Sequence, residues 1–269
     1  MDVQILFRSC SDTLEEFEIA RSIWGTDNVV NYRSLCRPGS LVVGRYSVLP
    51  YYKESYEDIA LSGAHLIHTP DQHDICADLR RWYPLIEDLT FKSYWGCGYA
   101  NVPDSPEGWV VKGQTNSRKQ LWNTHMRAPT RQALRDVMVR LMDDTLIGHQ
   151  DLIVREFVPL EFVEESLNGL QASNEWRVFV LDGQILCTGF YWSWVEEPPE
   201  HFPVEAEAVV LQAIERLSAL RFYVLDVART AAGDWKIVEL NAGQMSGLSL
   251  CDPTLLYTRL RDSLQGSQD

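Results

Sequence analysis

Tyr223-Val224-Leu225-Asp226-Val227 and Ile237-Val238-Glu239-Leu240-Asn241 are the two stretches on which the reading of this chain turns. Each is an apolar, strand-like run. Asp226 interrupts the first, and Glu239 and Asn241 stand two apart at the end of the second. Side chains at i and i+2 of a strand share a face, so Glu239 and Asn241 reach one point. A polar Gly233-Asp234 turn separates the two strands. If they pair in register, Asp226 faces that point too. Two carboxylates and one amide oxygen make a hard oxygen site, suited to Mg²⁺ shared with phosphate oxygens. The plain alternative is the solvated face of an antiparallel sheet.

A cationic set lies upstream. Lys112 ends the run Trp109-Val110-Val111-Lys112, Arg155 lies in Ile153-Val154-Arg155-Glu156-Phe157-Val158, and Arg177 lies in Trp176-Arg177-Val178-Phe179-Val180. A cation inside an apolar strand needs an anionic partner. Arginine offers phosphate a planar bidentate fork, and lysine a mobile point charge. Internal ion pairs, Arg177 with Glu175 or Arg155 with Glu156, are the competing explanation. Three cations and a carboxylate cluster in one sheet-rich region point to phosphate and Mg²⁺ together.

Outward from these motifs the pattern changes twice. Over about the first ninety residues strands alternate with helices, which predicts a small α/β unit. Its strands are Val3–Phe7, Leu41–Gly44 and Ala64–Ile67. Its helices are one capped by Ser11 or Asp12, one over Tyr51–Leu61, and one from Asp71 through Leu79 and Trp82. Gly96, Gly98, Pro103 and Pro106 then mark a loop. After Lys112, the turn-rich Gly113–Ser117 leads into Arg118-Lys119, and Thr130 caps an amphipathic helix with Leu134, Val137, Met138 and Leu141 on one face. The last 120 or so residues read mostly as sheet, with an Asp182-Gly183 hairpin turn and a helix from about Glu205 to Leu220. The tail after Leu264 carries no pattern.

Composition bounds the function. The chain has 269 residues, 45% hydrophobic and 23% charged, enough for one large domain or two to three lobes. No apolar run approaches a membrane span, and Met1-Asp2-Val3-Gln4 lacks a signal peptide's features. Twenty-four Lys and Arg against 38 Asp and Glu leave a net charge of −14, which disfavours nucleic acid as a partner. Six cysteines without a CxxC pair fit a reduced, cytoplasmic protein rather than a zinc or disulfide scaffold. Walker-type, GxGxxG and GxSxG fingerprints do not occur. His65 and His68 near Asp71 make a poor metal pair, and Cys97 between two glycines has no assignable base. Trp192 and Trp194 read as core or as the wall of a substrate cleft.

At these residues the chain resembles the ATP-grasp superfamily. Within it, the resemblance is to the divergent clade marked by two arginines and a lysine, which includes the eukaryotic cell-division-cycle factor that helps assemble translation initiation factor 2. Three blocks over about residues 108–250 carry it: Val110-Val111-Lys112 with Ser117-Arg118-Lys119; Ile153–Val158 with Asn174–Val180; and the two strands quoted first. The resemblance implies an α/β (α+β) chain with two lobes clasping a nucleotide. Residues 1–95 would form a preceding α/β domain, 96–150 the small lobe and 151–269 the large lobe with the metal-binding strands.

It further implies roles for particular residues. Lys112 would contact the α/β-phosphates, with Lys119 also on the nucleotide. The backbone of Glu156, Phe157 and Val158 would meet the adenine edge. Arg155 and Arg177 would face the triphosphate or transferred group, and Asp226, Glu239 and Asn241 would hold Mg²⁺. Arg177 and Lys112 would be the catalytic pair. The chain departs from the pattern twice: only Lys92 is available as the upstream lysine of many such ligases, and the Gly113–Lys119 turn replaces the glycine-rich lid. The implied activity is ATP-dependent carboxylate–amine (or thiol) ligation through an acylphosphate, on a small-molecule, peptide or protein acceptor. One alternative is a non-catalytic ATP-binding assembly factor that grips a protein through the first domain and the Trp192–Trp194 region. Another is nucleotidyl-transfer RNA ligation, against which the charge weighs.

Overall fold

Short apolar strands punctuated by turns and amphipathic helices build four sheets in the computed structural model, which describes residues 2–7, 14–166 and 171–266. The predicted cap at Ser11 or Asp12 lies outside those residues, as do the last three positions of the tail. The N-terminal segment runs β1 (Val3–Phe7), α1 (Leu14–Trp24), β2 (Val29–Val30), β3 (Leu41–Arg45), α2 (Tyr52–Leu61) and β4 (His65–Leu66). Its strands form a parallel sheet of order β2-β1-β3-β4, the expected outcome of strand–helix alternation.

The single helix predicted from Asp71 to Trp82 is two, α3 (Pro70–Ala77) and α4 (Leu79–Trp82). A capping box between Thr69 and Gln72 starts α3 with Pro70 at its first turn. Asp78 then leaves the helical region, and its carboxylate accepts the Arg80 N–H at 2.9 Å, a local bond that competes with the helix.

Next come β5 (Ser93–Tyr94), β6 (Trp109–Gly113), β7 (Arg127–Ala128), α5 (Arg131–Met142) and β8 (Leu152–Glu156). They form an antiparallel sheet of order β5-β8-β6-β7. Leu134, Val137, Met138 and Leu141 of α5, the predicted apolar face, are all buried against Trp109, Val111 and Val154.

The hairpin β9 (Phe162–Glu165) and β10 (Gln171–Ser173) precedes β11 (Glu175–Leu181), β12 (Gln184–Phe190), α6 (Val204–Arg216), β13 (Phe222–Arg229), β14 (Trp235–Ala242) and α7 (Pro253–Gln265). β11 and β12 meet at Asp182 and Gly183, whose φ values of 46° and 84° are those of a type I′ turn. The predicted helix from Glu205 to Leu220 ends four residues early, at Arg216. α7 was not expected, although Asp252 caps it through Thr254 N–H and Leu256, Tyr257 and Leu260 share its buried face.

In the antiparallel sheet β12-β11-β13-β14, Arg177 lies opposite Asp226 and Asp226 opposite Glu239. One face presents Trp176, Val178, Val180, Tyr223, Leu225 and Val227 to α3, α4 and α6. The other face is divided. Phe179, Leu181, Phe222 and Val224 form its apolar half, packed with α7, α1 and Val3, Ile5 and Phe7 of β1. Glu175, Arg177, Asp226 and Glu239 form its charged half. Period-two alternation puts both halves on the same side, so apolar packing stops where the charges begin. The N-terminal and C-terminal sheets thus share one core.

Candidate active site

The charged half faces the β5-β8-β6-β7 sheet across a cavity of about 450 Å³, within the range of small-molecule sites. Lys112, Lys119, Arg155, Glu156–Val158, Glu175 and Glu239 all line it. Arg177, Asp226 and Asn241 lie behind this lining, not in it.

Ladder register explains the carboxylate cluster. Asp226 and Glu239 are cross-strand partners, and Asn241, two residues beyond Glu239, pairs with Val224. A register irregularity between Asp226 and Val227 shifts the pairing past Val238 and keeps Glu239 opposite Asp226. Glu239 is bonded to the Lys112 ammonium. Burial would raise its pKa, but Lys112 and Lys119 hold it well below the ordinary glutamate value, with Asn241 helping.

Asp226 is 1% exposed at its side chain and accepts from both Nε and Nη2 of Arg177 at 2.9 Å. Arg177 therefore pairs with Asp226 and not with Glu175, because the register sets Asp226 directly across from it. A third bond, 2.7 Å to Gly247 O, leaves two of its five N–H groups uncommitted among the described residues. Burial would lower its pKa, and Asp226 more than reverses that.

Arg155 pairs with no carboxylate. Its guanidinium donates to Ser93 Oγ (3.1 Å), Val238 O (2.7 Å) and Thr90 Oγ1 (2.9 Å), tying β8 to the Thr90–Ser93 segment and to β14. Burial pulls its pKa down to about 10, with Glu239 opposing, so it stays charged at neutral pH.

At the other end, the chain leaves β8 through Glu156, Phe157 and Val158. Glu156 N–H is given to Lys92 O and Phe157 N–H to Gly108 O. Among the described residues Val158 N–H has no protein acceptor, which leaves it for a ligand edge. The walls there are apolar: Phe91, Val110, Trp122, Met126, Leu160 and Val238. Lys92 contributes only its carbonyl to this arrangement.

Several lining residues escaped the sequence reading. Residues 119–126 form two short helical turns, Lys119–Leu121 and Trp122–Met126, that bring Lys119, Trp122, Asn123 and Met126 to the cavity. No periodic pattern marks segments this short. Glu175 is 3% exposed, with Oε1 unpartnered among the described residues, and burial lifts its pKa to about 7. Its place in an apolar strand was the available signal. Tyr191 and Trp192 follow β12 and form an edge-to-face pair, centroids 5.0 Å apart. Away from the cavity, His68 is buried and its Nε2 accepts Phe222 N–H at 3.0 Å, while His65 is exposed, so the two do not converge.

The donor set suits Mg²⁺. No group of three or more His, Cys, Asp or Glu side chains forms a complete metal cage among the described residues. The chain instead offers two carboxylates and an amide on one face, and an ion there must complete its shell from phosphate or water, as Mg²⁺ does. Each Asp226 oxygen keeps a lone pair beyond its bond to Arg177.

Solved structures share this architecture across their whole length. D-cycloserine synthetase DcsG matches with a TM-score of 0.66 at 15% identity, covering 98% of this chain and 99% of that one. D-alanyl-alanine synthetase A from Vibrio cholerae matches at 0.59 and 10% identity, covering 99% and 98%. ATP-grasp ligase PsnB, in complex with a phosphomimetic variant of its minimal precursor, Mg and ADP, matches at 0.57 and 15% identity, covering 98% and 99%. The fold is the ATP-grasp fold. Residues 102–260 match the ATP-grasp domain of family 3 in the clade named for two arginines and a lysine, and the chain belongs to that family. No curated protein matches the sequence.

Proposed function

We propose that this protein is an ATP- and Mg²⁺-dependent carboxylate–amine ligase working through an acylphosphate, with residues 96–150 as small lobe and 151–269 as large lobe. The observation that carries this reading is the convergence of Lys112, Lys119, Arg177, Asp226, Glu239 and Asn241 at one end of a cavity whose other end is apolar and carries a free backbone N–H. The adenine lies against Phe91, Trp122, Met126 and Val238 with its edge at Val158, and the phosphates run toward the charged half.

A substrate carboxylate oxygen attacks the γ-phosphorus, the bond to the β-phosphate oxygen breaks, and ADP leaves. An amine then adds to the acyl carbon, inorganic phosphate departs, and the amine loses a proton. Lys112 is poised on the α/β-phosphates, and Lys119 and the uncommitted N–H groups of Arg177 meet charge developing on the transferring group. Mg²⁺, held by Asp226, Glu239 and Asn241, supplies further neutralisation of the triphosphate. No covalent enzyme nucleophile is needed; positioning and electrostatics carry the rate. Peptide or protein acceptors are favoured by the likeness to PsnB, whose structures contain a precursor peptide.

The test is incubation with Mg-ATP and pooled amino acids and peptides, followed by nucleotide analysis. Amine-dependent ADP formation supports the ligase. AMP formation would assign nucleotidyl transfer, and tight binding without turnover would assign the assembly-factor reading.

A further inference from the structure

We propose that Tyr191 is a positioning residue that clasps the two lobes at the phosphate end of the cavity and sets Lys119 for the terminal phosphoryl group; this rests on the nucleotide-site reading above. Lys119 comes from the short turn after β6, on the small-lobe side, whereas Tyr191 follows β12 on the large-lobe side. Tyr191 Oη accepts a 2.7 Å hydrogen bond from Lys119 Nζ. The same ammonium lies 4.6 Å from the Tyr191 ring centroid, and the Arg177 guanidinium carbon lies 4.8 Å from it. Both distances are within cation–π reach. One aromatic ring therefore touches a cation from each lobe.

The ring is itself anchored. Tyr191 N–H donates to Glu175 O at 2.9 Å, fixing it beside the strand that carries Arg177, and Trp192 packs edge-on against it. Lys119 is not anchored in this way. It starts a three-residue turn with no side-chain cap, and a lysine side chain is rich in rotamers. Among the described residues Tyr191 is the hydrogen-bond partner of its ammonium. Glu175, Glu239 and Asp226 add a negative field that offsets the burial of the Lys119 ammonium and keeps it charged. A cation held this way strengthens contact with the last phosphate and does nothing for the adenosine end.

The reaction need not be known to test this. Calorimetric titration of Mg-ADP and of the Mg complex of the β,γ-imido analogue of ATP gives the ratio of their dissociation constants, which isolates the γ-phosphate contribution. Wild type is expected to prefer the triphosphate analogue. Tyr191→Phe keeps the ring and loses the hydroxyl, so the preference should fall about tenfold while Mg-ADP affinity and melting temperature hold. Tyr191→Leu removes the ring as well and should lower the preference at least as far. If Tyr191→Leu does not fold, Tyr191→Phe carries the test alone.

A Tyr191→Phe protein with the wild-type preference overturns the proposal, as does equal weakening of both nucleotides, which marks a merely structural tyrosine. Wild type that binds both nucleotides without preference overturns it too. Wild type that binds neither removes the nucleotide site itself and the proposal with it, an outcome visible before any variant is made.

Discussion

Cutting the Arg177–Asp226 pair one side at a time distinguishes a fold-supporting ion pair from a free-standing site residue. Both charges are buried, at 10% and 1% side-chain exposure, and joined by two 2.9 Å bonds. Removing one partner strands the other charge among Phe179, Val224 and the sheet backbone, at a cost of about 3–5 kcal/mol. For a chain of this size that lowers the melting temperature by roughly 6–20 °C. Arg177→Met should therefore be strongly destabilised, and Asp226→Leu comparably so. The double variant replaces the pair by apolar side chains and should be more stable than either single, because no buried charge is left unmatched. Urea unfolding of the four proteins at pH 7 gives the coupling energy directly. The reasoning is refuted if each single change costs under about 1 kcal/mol or if the two costs simply add. The stable double variant also tests the site. It should stay folded and bind Mg-ADP far more weakly than wild type, and full binding would remove Asp226 from the metal set.

Mg-ATP at about 100 times its Kd should stabilise the fold by roughly 2.7 kcal/mol, and no shift in melting temperature would remove the nucleotide site. Glu239→Gln and Asn241→Ala should weaken Mg²⁺-dependent nucleotide binding while leaving unfolding midpoints within about 1 kcal/mol; a variant that binds like wild type marks its residue as a bystander. Glu175 binds its proton more tightly folded than unfolded, since burial lifts its pKa from 4.5 to about 7. Stability is therefore full below about pH 4.5 and falls as pH rises through 7, by about 3 kcal/mol for a shift of this size. Glu175→Gln should flatten that decline between pH 5 and 8, and an unchanged slope would assign it to other groups.

The alternation of Tyr223–Val227 and Ile237–Asn241, with charges at same-face positions, was enough to define the carboxylate cluster, because strand periodicity is a local property. The Asp182-Gly183 turn, the Thr130 cap and the apolar face of α5 were legible for the same reason. The α3 break at Asp78 was less so, since a helix pattern and a competing side-chain bond occupy the same residues. Which cation meets which anion could not be read at all. Arg177 lies next but one to Glu175 in the chain, yet pairs with Asp226, 49 positions away, because cross-strand register and not sequence distance decides proximity. Arg155 finds neutral acceptors on three separate segments, and Lys112 reaches Glu239 only because two sheets face each other across the cavity. Residue type and period-two order in the sequence thus determined the chemistry available and the face that bears it. The pairings, the apolar end of the cavity and the Tyr191 clasp were decided by tertiary structure, where segments far apart in the chain share one buried volume and each buried charge must find its partner.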